Sequence, residues 1–355
     1  PPKRLRRLPP GGAASGPAKP APRRLLGRRA MVWLSAMGEF ELIERFFVRP
    51  GRQAAGVALG IGDDCALLVP QPGMHLAVSS DMLVEGRHFL STVAPERLGH
   101  KALAVNLSDL AACGAEPLAF TLALALPRAD EAFLAPFSAG LLALADAHAI
   151  ELVGGDTTAG PLNVCVTVMG QVPAGQALQR NGARDGDDLW VSGRLGDARL
   201  ALEVFRGRVV LAGHDFETVR RAMELPSPRV ALGRRLRGLA HSAIDVSDGL
   251  LGDLGHILRK SAVGAIVELD ALPRGAVLAA QTPATQRLGL LTGGDDYEPR
   301  FTAAPADRTA VEDAAGDCGV PVTRIGRIDA VAGLRVVDAA GQSVEVAARG
   351  FDHFA

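Results

Sequence analysis

Aspartates recur at one kind of place in this chain. Asp63 and Asp64 follow Gly60-Ile61-Gly62, Asp156 follows Gly154-Gly155, and Asp295 and Asp296 follow Gly293-Gly294. Asp81 closes the apolar stretch Leu76–Ser80, and Asp245 and Asp248 bracket the end of another. Asp109 stands three residues after Asn106 on a helical pattern, so the two share a face. Glycine lets the backbone turn sharply and approach a ligand closely, and strand ends are where α/β proteins place ligands. Singly, each Asp also reads as a turn or N-cap residue; together they point to one site. Converging carboxylates repel, by ~4 kcal/mol for two charges ~4 Å apart at an effective dielectric of ~20. Such a cleft needs cations, and oxygen donors without a His or Cys cluster favour Mg²⁺ bridging carboxylates to phosphates.

Other uses of carboxylates fit less well. Asp245-Val246-Ser247-Asp248-Gly249 has the wrong spacing for an EF-hand and lacks the closing Glu. A glycosidase needs two carboxylates and no glycine framing. Residues 31–355 hold only two lysines, Lys101 and Lys260, and neither lies in G-x-x-x-x-G-K-[ST], so there is no P-loop. Mg²⁺, an acidic cleft and no P-loop lysine point to phosphoryl transfer run by metals rather than by a Walker site, with no side chain marked out as an acid or base. Arginine must supply the remaining positive charge. Arg180, in Arg180-Asn181-Gly182-Ala183, is the best placed, although it also reads as an exposed linker residue. His88, in Glu85-Gly86-Arg87-His88-Phe89, reads either as a ligand contact or as a structural histidine.

The elements that must position these groups emerge from periodicity. Phe40, Ile43 and Phe47 mark one face of a short helix; strands are expected at Leu76–Ser80, Leu118–Leu126 and Val164–Val172, and helices over 96–113, ending at Gly114, and over Asp130–His148. After a polar junction from Pro173 to Asp188 come strands at Leu189–Ser192, Ala243–Val246 and Ala265–Leu269. Helices are expected near 196–206, 216–224 and Gly249–Lys260. This mixture argues an α/β or α+β fold.

At 355 residues, 48% hydrophobic and 22% charged, the composition is that of a globular chain of about two domains. No apolar run reaches the ~20 residues of a membrane helix. Residues 1–30 hold nine Lys/Arg, seven prolines and no acidic residue, so they read as a disordered basic leader, with the true start at Met31 or Met37. The remainder carries 29 basic against 39 acidic residues, a poor candidate for electrostatic nucleic-acid binding, which needs a basic face. Cys65, Cys113, Cys165 and Cys318 form no C-x-x-C and read as small buried hydrophobes in a reducing, cytoplasmic compartment.

Seven stretches occur in a specific order: GIGDDCALL (60–68), SSDMLVEGRHF (79–89), KALAVNLSDLAACGAEP (101–117), GGDTTAGP (154–161), RNGARDGD (180–187), SAIDVSDGLLGDLGHI (242–257) and GGDDYE (293–298). Together they resemble the thiamine-monophosphate kinases of the aminoimidazole-ribonucleotide-synthetase-like superfamily. The resemblance runs from Gly38 to Phe354. It implies two α/β domains with mixed sheets and flanking helices, an N-terminal one over 38–172 and a C-terminal one over 184–345, then a substrate-contacting tail over 346–355. It also implies a homodimer paired through the first sheet, with ATP, several Mg²⁺ ions and thiamine monophosphate as ligands, and no nucleic acid or membrane partner.

Carried over by position, Asp64, Ser79, Ser80, Asp81, Asp109, Asp156, Asp245 and Asp248 look like metal ligands. Gly155, Arg180 and Ser247 look like ATP contacts; His88, Asp295 and Phe351 fall where the thiamine substrate is held. The chain departs from the family at Asp295 and Pro299, where GGEDYEL is usual, and at Phe351, where Tyr or Trp is common. Within the superfamily, a selenophosphate or aminoimidazole ribonucleotide synthetase is the alternative. The former would carry a reactive Cys or selenocysteine with Lys near its start, which does not appear here. A non-catalytic metal-binding module is the alternative of another class; ATP turnover separates it.

Overall fold

The computed structural model describes residues 38–49 and 55–346. The basic leader and Phe351 lie outside them. Two sheets organise the described residues. After α1 (Glu39–Phe46), the short strands β1 (Val57–Leu59) and β2 (Leu67–Leu68) form an antiparallel ribbon. Then β3 (Met74–Val84), α2 (Pro95–Cys113), β4 (Glu116–Leu126), α3 (Glu131–Ala147), β5 (Glu151–Ala159) and β6 (Asn163–Pro173) build a sheet of order β3-β6-β4-β5. It is antiparallel except for the β4–β5 pair.

The second half contributes β7 (Asp188–Ser192), α4 (Asp197–Phe205), α5 (Gly213–Glu224), α6 (Val230–Arg235), β8 (Ala240–Ile244), α7 (Leu250–Ser261) and β9 (Gly264–Glu268). There follow α8 (Ala276–Ala279), α9 (Pro283–Thr292), β10 (Arg300–Ala303), α10 (Arg308–Asp317), β11 (Val322–Asp329) and β12 (Gly333–Val337). The second sheet runs β12-β9-β11-β7-β10-β8, antiparallel except at β12–β9. Each sheet has its own aliphatic core.

The helix that matters most to the site is α2. Gly114, at φ 70°, ends it in the left-handed conformation that favours glycine, as the sequence predicts. Positions 101 to 108 of α2 are all buried, so it lacks the polar stripe of a surface helix. It packs against β3 and β6 on one side, α3 on another, and α5, α6 and β8 of the second half on a third. Its crossings are backbone-close. A Cβ on Gly99 would lie 2.0 Å from the Phe137 carbonyl oxygen, one on Gly140 1.9 Å from that of Glu96, and one on Gly233 2.0 Å from that of Ala111. Around it, Arg97 pairs with Glu217 and Glu224 of α5, and His100 Nε2 lies 2.8 Å from the Pro226 carbonyl.

Several expectations are corrected. Asp81 does not end its strand: β3 continues to Val84, and Asp81 pairs with Val166 of β6. Its stretch reads as broken because alternate β3 residues are exposed. Asp156 likewise sits inside β5, opposite Ala123 of β4. The buried face of α1 is Leu42 and Phe46, while Phe40 is 84% exposed. Cys65 is exposed and Cys113, Cys165 and Cys318 are half-buried, all unpaired. Pro299 is accommodated because β10 starts one residue later, and its carbonyl still accepts from the Ser192 N–H at 3.0 Å.

Gly140→Ala should lower stability by about 1–3 kcal/mol, because overpacking at the α2–α3 crossing outweighs the ~1 kcal/mol that alanine gains in helix propensity. Denaturant unfolding of the two proteins measures this; a variant as stable as the parent would mean the crossing relaxes freely.

Candidate functional site

A cleft of about 910 Å³ opens between the two halves, and seven of the candidate residues line it: Asp81, His88, Asp109, Asp245, Ser247, Asp248 and Asp295. A second cavity of about 290 Å³ shares Asp109 and Asp245 with it and adds Ser79 and Arg180. These nine residues come from β3, the turn after it, α2, the linker before β7, the loop after β8 and the segment before β10.

Asp109 and Asp245 are held at the carboxylate, and Asp81 and Asp248 at the backbone. On β3, successive residues face opposite sides, so Ser79 and Asp81, two apart, face α2 together. Ser79 Oγ donates to Asp109 Oδ2 at 2.5 Å. The Asp81 backbone N–H donates to Asn106 Oδ1 at 3.0 Å, and Asn106 Nδ2 donates in turn to the Ala102 carbonyl. Ser108 Oγ donates to Asp245 Oδ2 at 2.7 Å. Asp253, in the first turn of α7, accepts at 3.1 Å from the backbone N–H groups of both Ser247 and Asp248, which fixes that loop.

The electrostatics follow from this crowding. Burial, then the charges of Asp109 and Asp248, push Asp81 up to about 6. Burial and Asp109 push Asp245 up to about 7, against the Ser108 hydrogen bond. Burial also raises Asp109, opposed by the Ser79 hydrogen bond and the Arg180 charge. Beneath them lies Arg300 of β10, fully buried, its Nη1 donating to the Leu250 carbonyl. Among the described residues its Nε and Nη2 have no hydrogen-bond partner. Burial lowers it to about 10, and Asp253 and Asp245 resist that fall.

The segment Asp295-Asp296-Tyr297-Glu298 is held at every side chain. Asp295 and Tyr297 have φ of 68° and 51°, unusual for residues with a side chain. Their N–H groups donate to the Ser247 and Val246 carbonyls at 2.9 and 2.8 Å. Asp295 accepts from Lys101 Nζ and Tyr297 Oη; Asp296 accepts from the Gly196 N–H through both oxygens at 3.0 Å; Glu298 takes Arg229 and Ser192. His88 lines the cleft while its Nδ1 accepts from the Val84 N–H at 3.0 Å, so it holds the turn after β3 from a position at the cleft wall.

Four candidates stand apart from both cavities. Asp64 is exposed in the loop between β1 and β2, where its N–H donates to Asp63 Oδ1. Ser80 faces the outer side of the first sheet, against Thr167 Oγ1 at 2.9 Å. Asp156 shares that outer side and is exposed. A Cβ on Gly155 would sit 1.8 Å from the Leu122 carbonyl oxygen, so this glycine is required by the closeness of β4 and β5. Among the described residues, no three or more His, Cys, Asp or Glu side chains form a ready ion cage.

Sequence reasoning missed Lys101, Asn106 as a backbone clamp, Asp253 and Arg300. Asp253 lay inside a quoted stretch, five residues after Asp248. Arg300 carried no signal, because nothing in its neighbourhood marks a buried charge.

Residues 62–172 match the N-terminal domain of the AIR synthase related proteins, and residues 184–339 match the C-terminal domain. The chain is 46% identical over 323 residues to the thiamine-monophosphate kinase of Escherichia coli K12, covering 90% of this chain and 99% of that one. The solved thiamine-monophosphate kinase of Stenotrophomonas maltophilia K279a superposes with a TM-score of 0.76 at 48% identity, over 82% of this chain and 93% of that one. A structure of AaThiL complexed with AMPPCP and TMP gives 0.70 at 28% identity, over 81% and 89% of the two chains.

The raised Asp81 and Asp245 make a pH signature. Both bind a proton in the folded protein at pH values where the unfolded chain has lost it. Their stabilising contribution is therefore complete below about pH 4 and lost as pH rises through about 6 and 7. His100 and His148, lowered by burial, act in the opposite direction, so the comparison is with Asp245→Asn. In chelator, the melting temperature of the parent relative to that variant should fall from pH 5 to pH 7.5, read by calorimetry. A constant difference would mean that Asp245 is ionised throughout.

Proposed function

The chain belongs to the AIR synthase related family, among its thiamine-monophosphate kinases, and we propose on that premise that it transfers the γ-phosphate of ATP in line to thiamine monophosphate, giving thiamine diphosphate, with Mg²⁺ in the cleft. The observation that carries this reading is the convergence of Asp81, Asp109, Asp245 and Asp248 on one cleft. Carboxylates that raise one another's pKa favour a cation, and an all-oxygen donor set suits Mg²⁺. Mg²⁺ is usually held by one or two carboxylates, waters and substrate phosphates rather than by a protein cage, so the dispersed set fits it. Bound there, the ions would offset the charge of the phosphates that must meet.

The chain's own residues position and hold. Ser79, through Asp109, and Asn106, through Asp81, keep two carboxylates aimed into the cleft. Arg180 and Ser247 are proposed to hold the nucleotide; His88 and Asp295 face the acceptor. Asp64, Ser80, Asp156, Gly155 and Phe351 stay in the proposal on the family resemblance alone. No side chain need act as base: a phosphate monoester has a second pKa of about 6, so the attacking oxygen arrives anionic. A homodimer through the first sheet is supported by its outer face, where Leu76, Val78 and Met82 of β3 are 47%, 59% and 54% exposed. The unpaired cysteines suit a cytoplasmic setting.

Purified protein with ATP, Mg²⁺ and thiamine monophosphate should yield thiamine diphosphate, whereas free thiamine, whose hydroxyl needs a base, should not turn over. Asp81→Ala and Asp109→Ala should each lower kcat by at least ~10²-fold, as for other lost transition-state electrostatics. Comparable turnover of free thiamine, or near-parental rates in either variant with its circular dichroism intact, would sink the assignment.

A further inference from the structure

Lys101 is a buried cation without an evident task. It sits in the middle of α2 with its side chain 3% exposed, and lysine is almost never so buried unless paired. Its partner is Asp295, whose Oδ2 lies 3.1 Å from Nζ; the His88 carbonyl accepts more weakly at 3.4 Å. Asp295 is 35% exposed and lines the cleft, whereas Lys101 stands behind it. The other oxygen, Oδ1, accepts from Tyr297 Oη at 3.0 Å. One ammonium thus joins the turn after β3 to the segment before β10, two pieces of chain from different halves of the molecule.

We propose that Lys101 is the positioning residue for the acceptor, neutralising Asp295 and aiming its carboxylate at the organic part of the substrate. This rests on the kinase reading above and deepens it. An unpaired Asp295 would be one more anion at the mouth of a cleft already crowded with carboxylates, and it would repel the incoming phosphate monoester. Paired, it contributes no net charge, and two fixed donors leave only its outward lone pairs for an N–H of the acceptor. A charge-assisted pair of this kind is both stronger and more directional than a neutral contact. On the ATP side, Arg180 lies in the neighbouring cavity and has no part in the pairing, and Ser247 meets residue 295 only through its backbone carbonyl, which accepts from the Asp295 N–H at 2.9 Å.

The test is steady-state kinetics with each substrate varied in turn. Lys101→Met should raise the KM for thiamine monophosphate by about tenfold or more, the usual size of a lost hydrogen bond to a charged group, and leave the KM for ATP within about twofold. Lys101→Arg should restore part of the loss. The double variant Lys101→Met/Asp295→Asn should bind acceptor better than Lys101→Met alone, since the unpaired charge is gone; such non-additivity is the mark of direct coupling. Equal rises in both KM values, or strictly additive effects in the double variant, would overturn the proposal. If Lys101→Met does not fold, Lys101→Arg and Asp295→Asn decide by the same split of KM values. Absence of thiamine monophosphate turnover in the parent protein would instead overturn the kinase reading itself.

Discussion

Mutual repulsion among a few aspartates sets the terms for the rest of this molecule. Asp81, Asp109, Asp245 and Asp248 come from separate elements, and each element must resist the tendency of its carboxylate to move away from the others. The means are local and inexpensive in residues: a serine hydroxyl on Asp109 and another on Asp245, an asparagine on the backbone of residue 81, a first-turn aspartate under the loop at 247–248. Uncharged side chains, two serine donors and an asparagine acceptor, do most of this holding. They fix geometry without cancelling the charge that the proposed ions would need.

The α2 helix is the common wall that makes this possible. It supplies Lys101, Asn106, Ser108 and Asp109 within nine positions, and its glycine-mediated crossings bring α3 and α6 to within backbone contact. Because both halves pack on it, a change in either is felt at the same helix. The ion pairs from Arg97 to α5 work on the same boundary. Rigid packing around a charged cleft suits a reaction that depends on placing two anionic groups, since positioning alone supplies much of the barrier reduction in such transfers.

Much of this was legible in the sequence. Asp81, Asp109, Asp245 and Asp248 marked most of the cleft, while of the aspartates that follow glycines only Asp295 lines it; Gly114 marked the end of α2, and the alternation of strands and helices gave the class. What was not legible has physical causes. Asp81 and Asp156 lie inside strands rather than at their ends, because one face of the first sheet is exposed and its alternating residues disguise the strands' length. Lys101 entered the sequence reading as a lysine outside a P-loop and as the first residue of a family stretch, with no role attached; the role proposed for it depends on a contact with a residue 194 positions away. The strands β10 and β12 are short, and β10 directly follows a proline, which weakens its pattern. Asp64, Ser80, Gly155 and Asp156 show the reverse case: the sequence groups them with the cleft, and the single chain places them elsewhere.

The backbone at residue 295 gives the Asp-for-Glu departure a second meaning. A left-handed conformation costs an ordinary L-residue roughly 1–2 kcal/mol, and Asp and Asn tolerate it better than longer side chains because they can bond locally. At φ 68° the shorter acid is therefore the more comfortable one. Reach toward the proposed acceptor and ease of the turn are in competition at this position. This chain has taken the easier turn, and the Lys101–Tyr297 clamp holds the shorter carboxylate where it is.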